Sequence, residues 1–312
     1  MAKRKKQKQT GKGSKKAGDF KSNISRVFAG FFILLILVAG AGLFANYYIF
    51  KKLPEKKEPA SKQPVFEVYP KGEELSGKIP SIAKKRPAVS LPKVAIIIDD
   101  LGYDNDLAKN YLELDAAFTF SVLPFSPFQK SIATAAHNKG IEIMLHLPME
   151  PDEYPEISPG PGALLTSMSP DRLISQLNKD LDDIPFIKGV NNHMGSKMTG
   201  IDTQLYQLFS VLKKRDLYFV DSRTTAKTLC KPSARLLKVP FAERDIFLDH
   251  IQDPEYIRDQ INKLVELAGK HGEAVAIIHP YPETYRVVQE MLPYLRKKIN
   301  IVPASEIVSE IG

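Results

Sequence analysis

From Lys93 onward, short apolar runs rich in β-branched and aromatic residues alternate with longer amphipathic stretches. The runs are VAIIID (94–99), AFTFSVLP (117–124), IEIMLHLP (141–148), KGVNNHMG (188–195), LYFVDS (217–222), VPFAERDIFLD (239–249, strand only in part), AVAIIHP (274–280) and INIVPAS (299–305). The stretches between them predict helices over roughly 104–114, 127–139, 170–182, 202–215, 254–271 and 283–297. Two of these have marked starts, because Ser169-Pro170 and Asp253-Pro254 each place a capping side chain before a proline at the first helical position. Strands separated by whole helices pair in parallel, so the pattern predicts an α/β domain over 93–312, of a size that suits one α/β barrel.

Polar residues stand at one end of these runs. Asp99 and Asp100 end the first, His146 the third, His193 the fourth, Asp221 the fifth and His279 the seventh. In a parallel β/α barrel the carboxyl ends of the strands share one face, where active sites are built, so six separated residues are expected on one rim.

Adjacent carboxylates at a strand exit either cap the next helix or divide two tasks, one holding a metal and the other taking a proton from its water. A lone histidine in an apolar strand is usually a satisfied core group. Two at neighbouring exits, with Asp100 beside them, instead offer three N/O ligands and an open position, the set a water-activating divalent ion needs. His279 in IIHPYPET suits an acid or oxyanion partner, since a fourth ligand would exclude substrate. Glu150 in HLPME reads as a ligand or a solvated loop charge. Arg223, Arg244 and Asp245 read as groups that orient Asp99 or His279, or as rim ion pairs. Ser196 in GSKMT has no nucleophile elbow or matched histidine, which argues against a serine hydrolase. The single cysteine, Cys230, excludes an internal disulfide and multi-cysteine metal sites.

The net charge of +8 suggests a nucleic-acid binder until it is mapped along the chain. Residues 1–26 carry ten Lys/Arg against Asp19, and 51–93 carry eleven against five Glu, which leaves 94–312 at −7. The folded body is therefore acidic, and no nucleic-acid partner is expected. Between the two basic segments lies an uncharged run, 27–50, long enough to cross a bilayer as one helix. The ten preceding cations place residues 1–26 in the cytoplasm, so the rest is expected to be exported, single-pass, into the periplasm or the extracellular space. The length of that run favours an anchor over a cleaved signal peptide. Residues 51–92, rich in Lys, Glu, Pro and Ser, read as a flexible linker. Gly30, Gly40 and Gly42 permit helix pairing but indicate no oligomeric state.

IIIDDLGY, IEIMLHLPMEP, NNHMGSKMT, FVDSRTT, RDIFLD and AIIHPYPET, in that order, resemble the divergent polysaccharide deacetylases, relatives of the chitooligosaccharide deacetylase group of carbohydrate esterases. The resemblance implies a distorted (β/α) barrel holding a divalent metal, usually zinc, by an Asp-His-His triad, and hydrolysis of N- or O-acetyl groups on a glycan or polysaccharide. It implies that Asp99 is the base, Asp100 the metal aspartate, His146 the first metal histidine and His279 the general acid. Where ordinary members place a second histidine four residues after the first, this chain has Glu150, and the third ligand is assigned to His193. The family's substrate-groove arginine motif is not recognisable. Two functions follow: an envelope-tethered, metal-dependent glycan deacetylase, or an inactive barrel of the same type that binds glycan or serves as an envelope scaffold.

Overall fold

The computed structural model describes residues 91–312. The basic tail (1–26), the apolar run (27–50) and nearly all of the linker (51–92) lie outside the described residues. No helix among the described residues is long and apolar enough to cross a membrane.

β1 (Lys93–Leu101) is buried from Val94 onward, as a strand covered on both faces must be. It pairs in parallel with β8 (Glu273–Ile278) on one side and β2 (Thr119–Val122) on the other. Beyond β2 follow β3 (Glu142–Met149), β4 (Ile187–Met194), β5 (Tyr218–Asp221) and β6 (Phe241–Glu243), while β7 (Ile246–Phe247) lies outside β8. β9 (Asn300–Ile301) adds two residues beside the start of β1. All these pairings are parallel.

The two ends of this order, β6 and β7, are separated in sequence only by Arg244 and Asp245. Arg244 N donates to Asp221 O on β5 at 2.9 Å, and Asp245 N donates to Val275 O on β8 at 2.9 Å. A single extended segment therefore serves both edges, and the sheet has to curl until they meet. The partly strand-like VPFAERDIFLD run is this segment.

Helices α1 (Asn105–Leu112), α2 (Gln129–Asn138), α3 (Pro170–Asp183), α4 (Asp202–Lys214), α5 (Cys230–Leu237), α6 (Pro254–His271) and α7 (Pro282–Lys298) connect the strands. Alternation along each strand divides the core in two. Ile96, Ile98, Phe120, Leu145, Val190, Phe219 and Ala276 face outward against apolar helix faces, whereas Ala95, Ile97, Met144, Tyr218, Val220, Val275 and Ile277 fill the curl. Each such large side chain contributes roughly 1.5–3 kcal/mol by leaving water. Ala304, with Ile307 and Val308, packs against the inner set.

The six predicted helices form within two residues or so of their expected limits, and α5 is an additional one. Asp253 caps α6 by accepting from Tyr256 N at 2.9 Å. Ser169 occupies the corresponding position before α3, yet its hydroxyl makes no capping bond. The cap of α1 is Asp104, so neither Asp99 nor Asp100 is used that way. INIVPAS yields only the two residues of β9 before Pro303 leads into a short 3-10 turn, Ala304–Glu306.

Candidate functional site

Alternation along β1 sends Ala95, Ile97 and Asp99 inward and would send Asp100 to the helices. Instead the β1–β2 register shifts between Ile98 and Leu101, and Asp100 adopts a left-handed φ of +54°. Aspartate tolerates this conformation better than most residues. The irregularity turns the second carboxylate back toward the first, so that adjacent residues reach one site. On β4, Asn191 and His193 share the inner face, opposite His146 and Pro148 of β3 in register.

Three ligand atoms meet there. His193 Nδ1 lies 2.9 Å from Asp100 Oδ1, His146 Nε2 lies 3.2 Å from the same oxygen, and the two ring nitrogens are 3.2 Å apart. All three residues are buried. Nitrogen and oxygen ligands at ~2.0–2.1 Å from a tetrahedral zinc stand about 3.3 Å from one another, so the triangle is close to the edge such an ion needs. Lone pairs at these separations repel unless a proton or a cation lies between them. Both Asp100 oxygens and Asp99 Oδ2 are buried without a hydrogen-bond partner in the protein, a costly state that a bound cation and its water would relieve. The donor set and its geometry fit a divalent ion.

The paired carboxylates differ in their electrostatics. Burial alone would raise Asp100, but His193 and His146 beside it prevail and hold its carboxyl well below the usual range. For Asp99, burial outweighs the pull of His146, His279 and the Asn191 amide, and its pKa is raised. Environments that split two carboxylates in this way suit one to remain an anion and the other to accept a proton.

His279 follows β8 and is buried. Its Nδ1 lies 2.9 Å from Asp249 Oδ1, and its backbone N–H donates to Asp249 Oδ2 at 2.6 Å. Thr284 Oγ1 donates to that same oxygen at 3.0 Å. The aspartate can only accept, so it places the proton of His279 on Nδ1 and leaves Nε2 for chemistry. Asp249 and the hub residue Asn191 were both missed by sequence reasoning.

The remaining residues singled out in the sequence are held in the surrounding loops. Glu150 lies outside the triangle: Lys197 Nζ reaches its carboxylate at 2.5 Å and Thr166 N donates to it, tying together the loops after β3 and β4. Ser196 Oγ accepts from Asp152 N at 2.9 Å. Asp221 folds the loop after β5 by accepting from Arg223 N and Thr228 Oγ1, each at 2.8 Å. The Arg223 guanidinium lies 3.3 Å from Glu243. Arg244 donates to Ser222 O at 2.7 Å and stands 3.7 Å over the Phe247 ring, whose centroid is 5.9 Å from that of His279. Asp245 accepts from Val275 N at 2.8 Å, within the sheet closure. Asp99 accepts from Asn191 Nδ2 at 2.7 Å, and Asp249 holds His279.

Comparison with known proteins places this arrangement. The chain is 37% identical over 218 residues to the uncharacterized protein YibQ of Escherichia coli strain K12, covering 70% of this chain and 68% of YibQ. It is 31% identical over 210 residues to an uncharacterized protein of Haemophilus influenzae strain KW20, covering 67% of this chain and 74% of that one. An uncharacterized protein of Agrobacterium tumefaciens C58, known from a crystal structure, shares the fold with a TM-score of 0.68 at 24% identity, over 72% of this chain and 93% of its own. Residues 96–308, which run from within β1 past β9 and include every residue of the triangle, match the divergent polysaccharide deacetylases, and the chain belongs to that family.

Proposed function

We propose that this protein is a metal-dependent deacetylase that hydrolyses N- or O-acetyl groups on an envelope polysaccharide or glycan. The observation that carries the reading is the buried triangle of Asp100, His146 and His193, with Asp99 on one side and the His279–Asp249 pair on the same rim. Membership of the family supports a polysaccharide as the substrate class. A divalent cation held by the triangle, zinc in our reading, would make a bound water acidic and polarise the acetyl carbonyl.

The chain's own groups supply the proton movements. Asp99, raised by burial and with Oδ2 unpartnered, takes the proton from the attacking water. His279 delivers a proton from Nε2 to the departing amine or alcohol. Asp249 fixes the orientation of that imidazole and balances its charge when it is protonated. We extend the proposal to location: residues 27–50 anchor the chain, 51–92 tether it, and the distorted barrel works on the exported side, a reading supported by the ten cations before the apolar run.

The test is metal analysis of the full chain in detergent, wild type beside Asp100→Ala and His193→Ala, followed by acetate release from acetylated polysaccharides. Stoichiometric metal in the wild type alone, with acetate released only by that sample, is the expected result. A well-folded wild type that takes up no metal when zinc is supplied overturns the reading and leaves an inactive barrel acting as a glycan-binding or scaffolding module.

A further inference from the structure

Asn191 stands at the centre of the buried network, shielded from solvent. Its Nδ2 donates to Asp99 Oδ1 at 2.7 Å and reaches Ser222 Oγ at 3.4 Å. Its Oδ1 accepts from Ser121 Oγ at 2.6 Å and lies 2.8 Å from His146 Nδ1. One amide therefore links the candidate base on β1 to a candidate ligand on β3.

The orientation of this amide has a chemical consequence. A carboxylate oxygen only accepts, so the NH2 end faces Asp99 and the carbonyl end faces His146. An amide oxygen also only accepts, so His146 Nδ1 has to carry the proton. The lone pair then lies on Nε2, the nitrogen aimed at Asp100 Oδ1 and His193 Nδ1. The reversed network would place a proton on Asp99 Oδ1, turn the NH2 end toward His146 and put the imidazole N–H on Nε2, where it blocks coordination.

We propose that Asn191 is a positioning residue that selects the ligating tautomer of His146 and ties that choice to the orientation of Asp99. The proposal rests on reading the triangle as a metal site. An aspartate at this position would still accept from His146 Nδ1 but would confront Asp99 with a second carboxylate. A leucine would leave Ser121 Oγ without its acceptor and remove the amide that holds His146 Nδ1 at 2.8 Å, with Asp99 Oδ1 the next oxygen at 3.7 Å.

The experiment reads the tautomer directly. Long-range proton–nitrogen NMR on the metal-free full chain in micelles, at a pH where the imidazole is neutral, assigns which nitrogen of His146 is protonated. Zinc affinity is measured beside it by competition with a chromophoric chelator. In wild type, protonation at Nδ1 is expected. In Asn191→Leu the preference is lost and zinc affinity falls by about 10–100-fold. Asn191→Asp is expected to keep the Nδ1–H tautomer and to lose less zinc affinity than Asn191→Leu. Protonation of wild-type His146 at Nε2, or a folded Asn191→Leu that binds zinc as tightly as wild type, overturns the proposal. A wild type that binds no zinc defeats the metal reading instead, and its tautomer still decides the role of Asn191.

Discussion

Asp180, on the inner face of α3, is fully buried, accepts a single hydrogen bond from Gln176 Nε2 at 2.8 Å, and has its second oxygen unpartnered. Burial raises its pKa to about 7. An acid raised on folding stabilises the folded state fully below its unfolded pKa, and that contribution is lost as the pH climbs through the folded value. The window here runs from about 4 to about 7. Asp180→Asn is therefore expected to match wild type near pH 4 and to exceed it by roughly 4 kcal/mol at pH 8, measured by urea denaturation at both pH values. At the site, Asp249→Asn is expected to lower kcat by about 100-fold with little change in KM, since an amide cannot accept on both sides and so disturbs the orientation and charge balance of His279. Steady-state kinetics on an acetylated glycan check this. Asp99, Asp100, His146, His193 and His279 were legible in the sequence because each interrupts an apolar strand at the same end. Asn191 was not, because an uncharged amide offers neither a metal ligand nor a proton and so did not stand out among the polar residues of KGVNNHMG. Asp249 was hidden because its partnership with residue 279 depends on the register of β7 against β8, which no local pattern reveals.

At the scale of elements, the site depends on how strands end. Asp100, Met194 and Arg223 all have positive φ at or close to strand exits. The loop after β1 is clamped to the loop after β2: Phe128 N donates to Gly102 O at 2.9 Å, and Leu123 N donates to Leu101 O at 2.8 Å. Gly102 has φ +134°, and a Cβ there would lie 1.9 Å from Ser126 Oγ. Gly102→Ala is expected to cost about 2–3 kcal/mol through overpacking and backbone strain, and to weaken metal binding by shifting Asp100. Chemical denaturation and chelator competition on the same sample test both effects. Periodicity predicted the long helices α3, α4, α6 and α7 well, since each has enough turns to show an apolar face. It missed α5, eight residues with Pro232 in the first turn, where the signal is too brief to separate from a loop.

For the whole molecule, alternation of strands and helices indicated a parallel α/β domain, but not that its edges would be served by one chain segment. That depends on Arg244 and Asp245 bonding to opposite neighbours, β5 and β8. Their amides are expected to exchange with deuterium as slowly as that of Val275, and mass-spectrometric exchange resolved to single residues would reveal faster exchange if the closure were loose. Phe241, at the start of the segment, also bonds in both directions with Ser309, so the chain's last residues cover part of β6. An open row of backbone amides invites foreign extended chains to add to a sheet and seed aggregates. By occupying both borders with its own backbone, this fold should give such chains little to dock on, even at high protein concentration. The two residues that provide this protection also set the path leading to Asp249, so resistance to clumping and the alignment of His279 have a common origin.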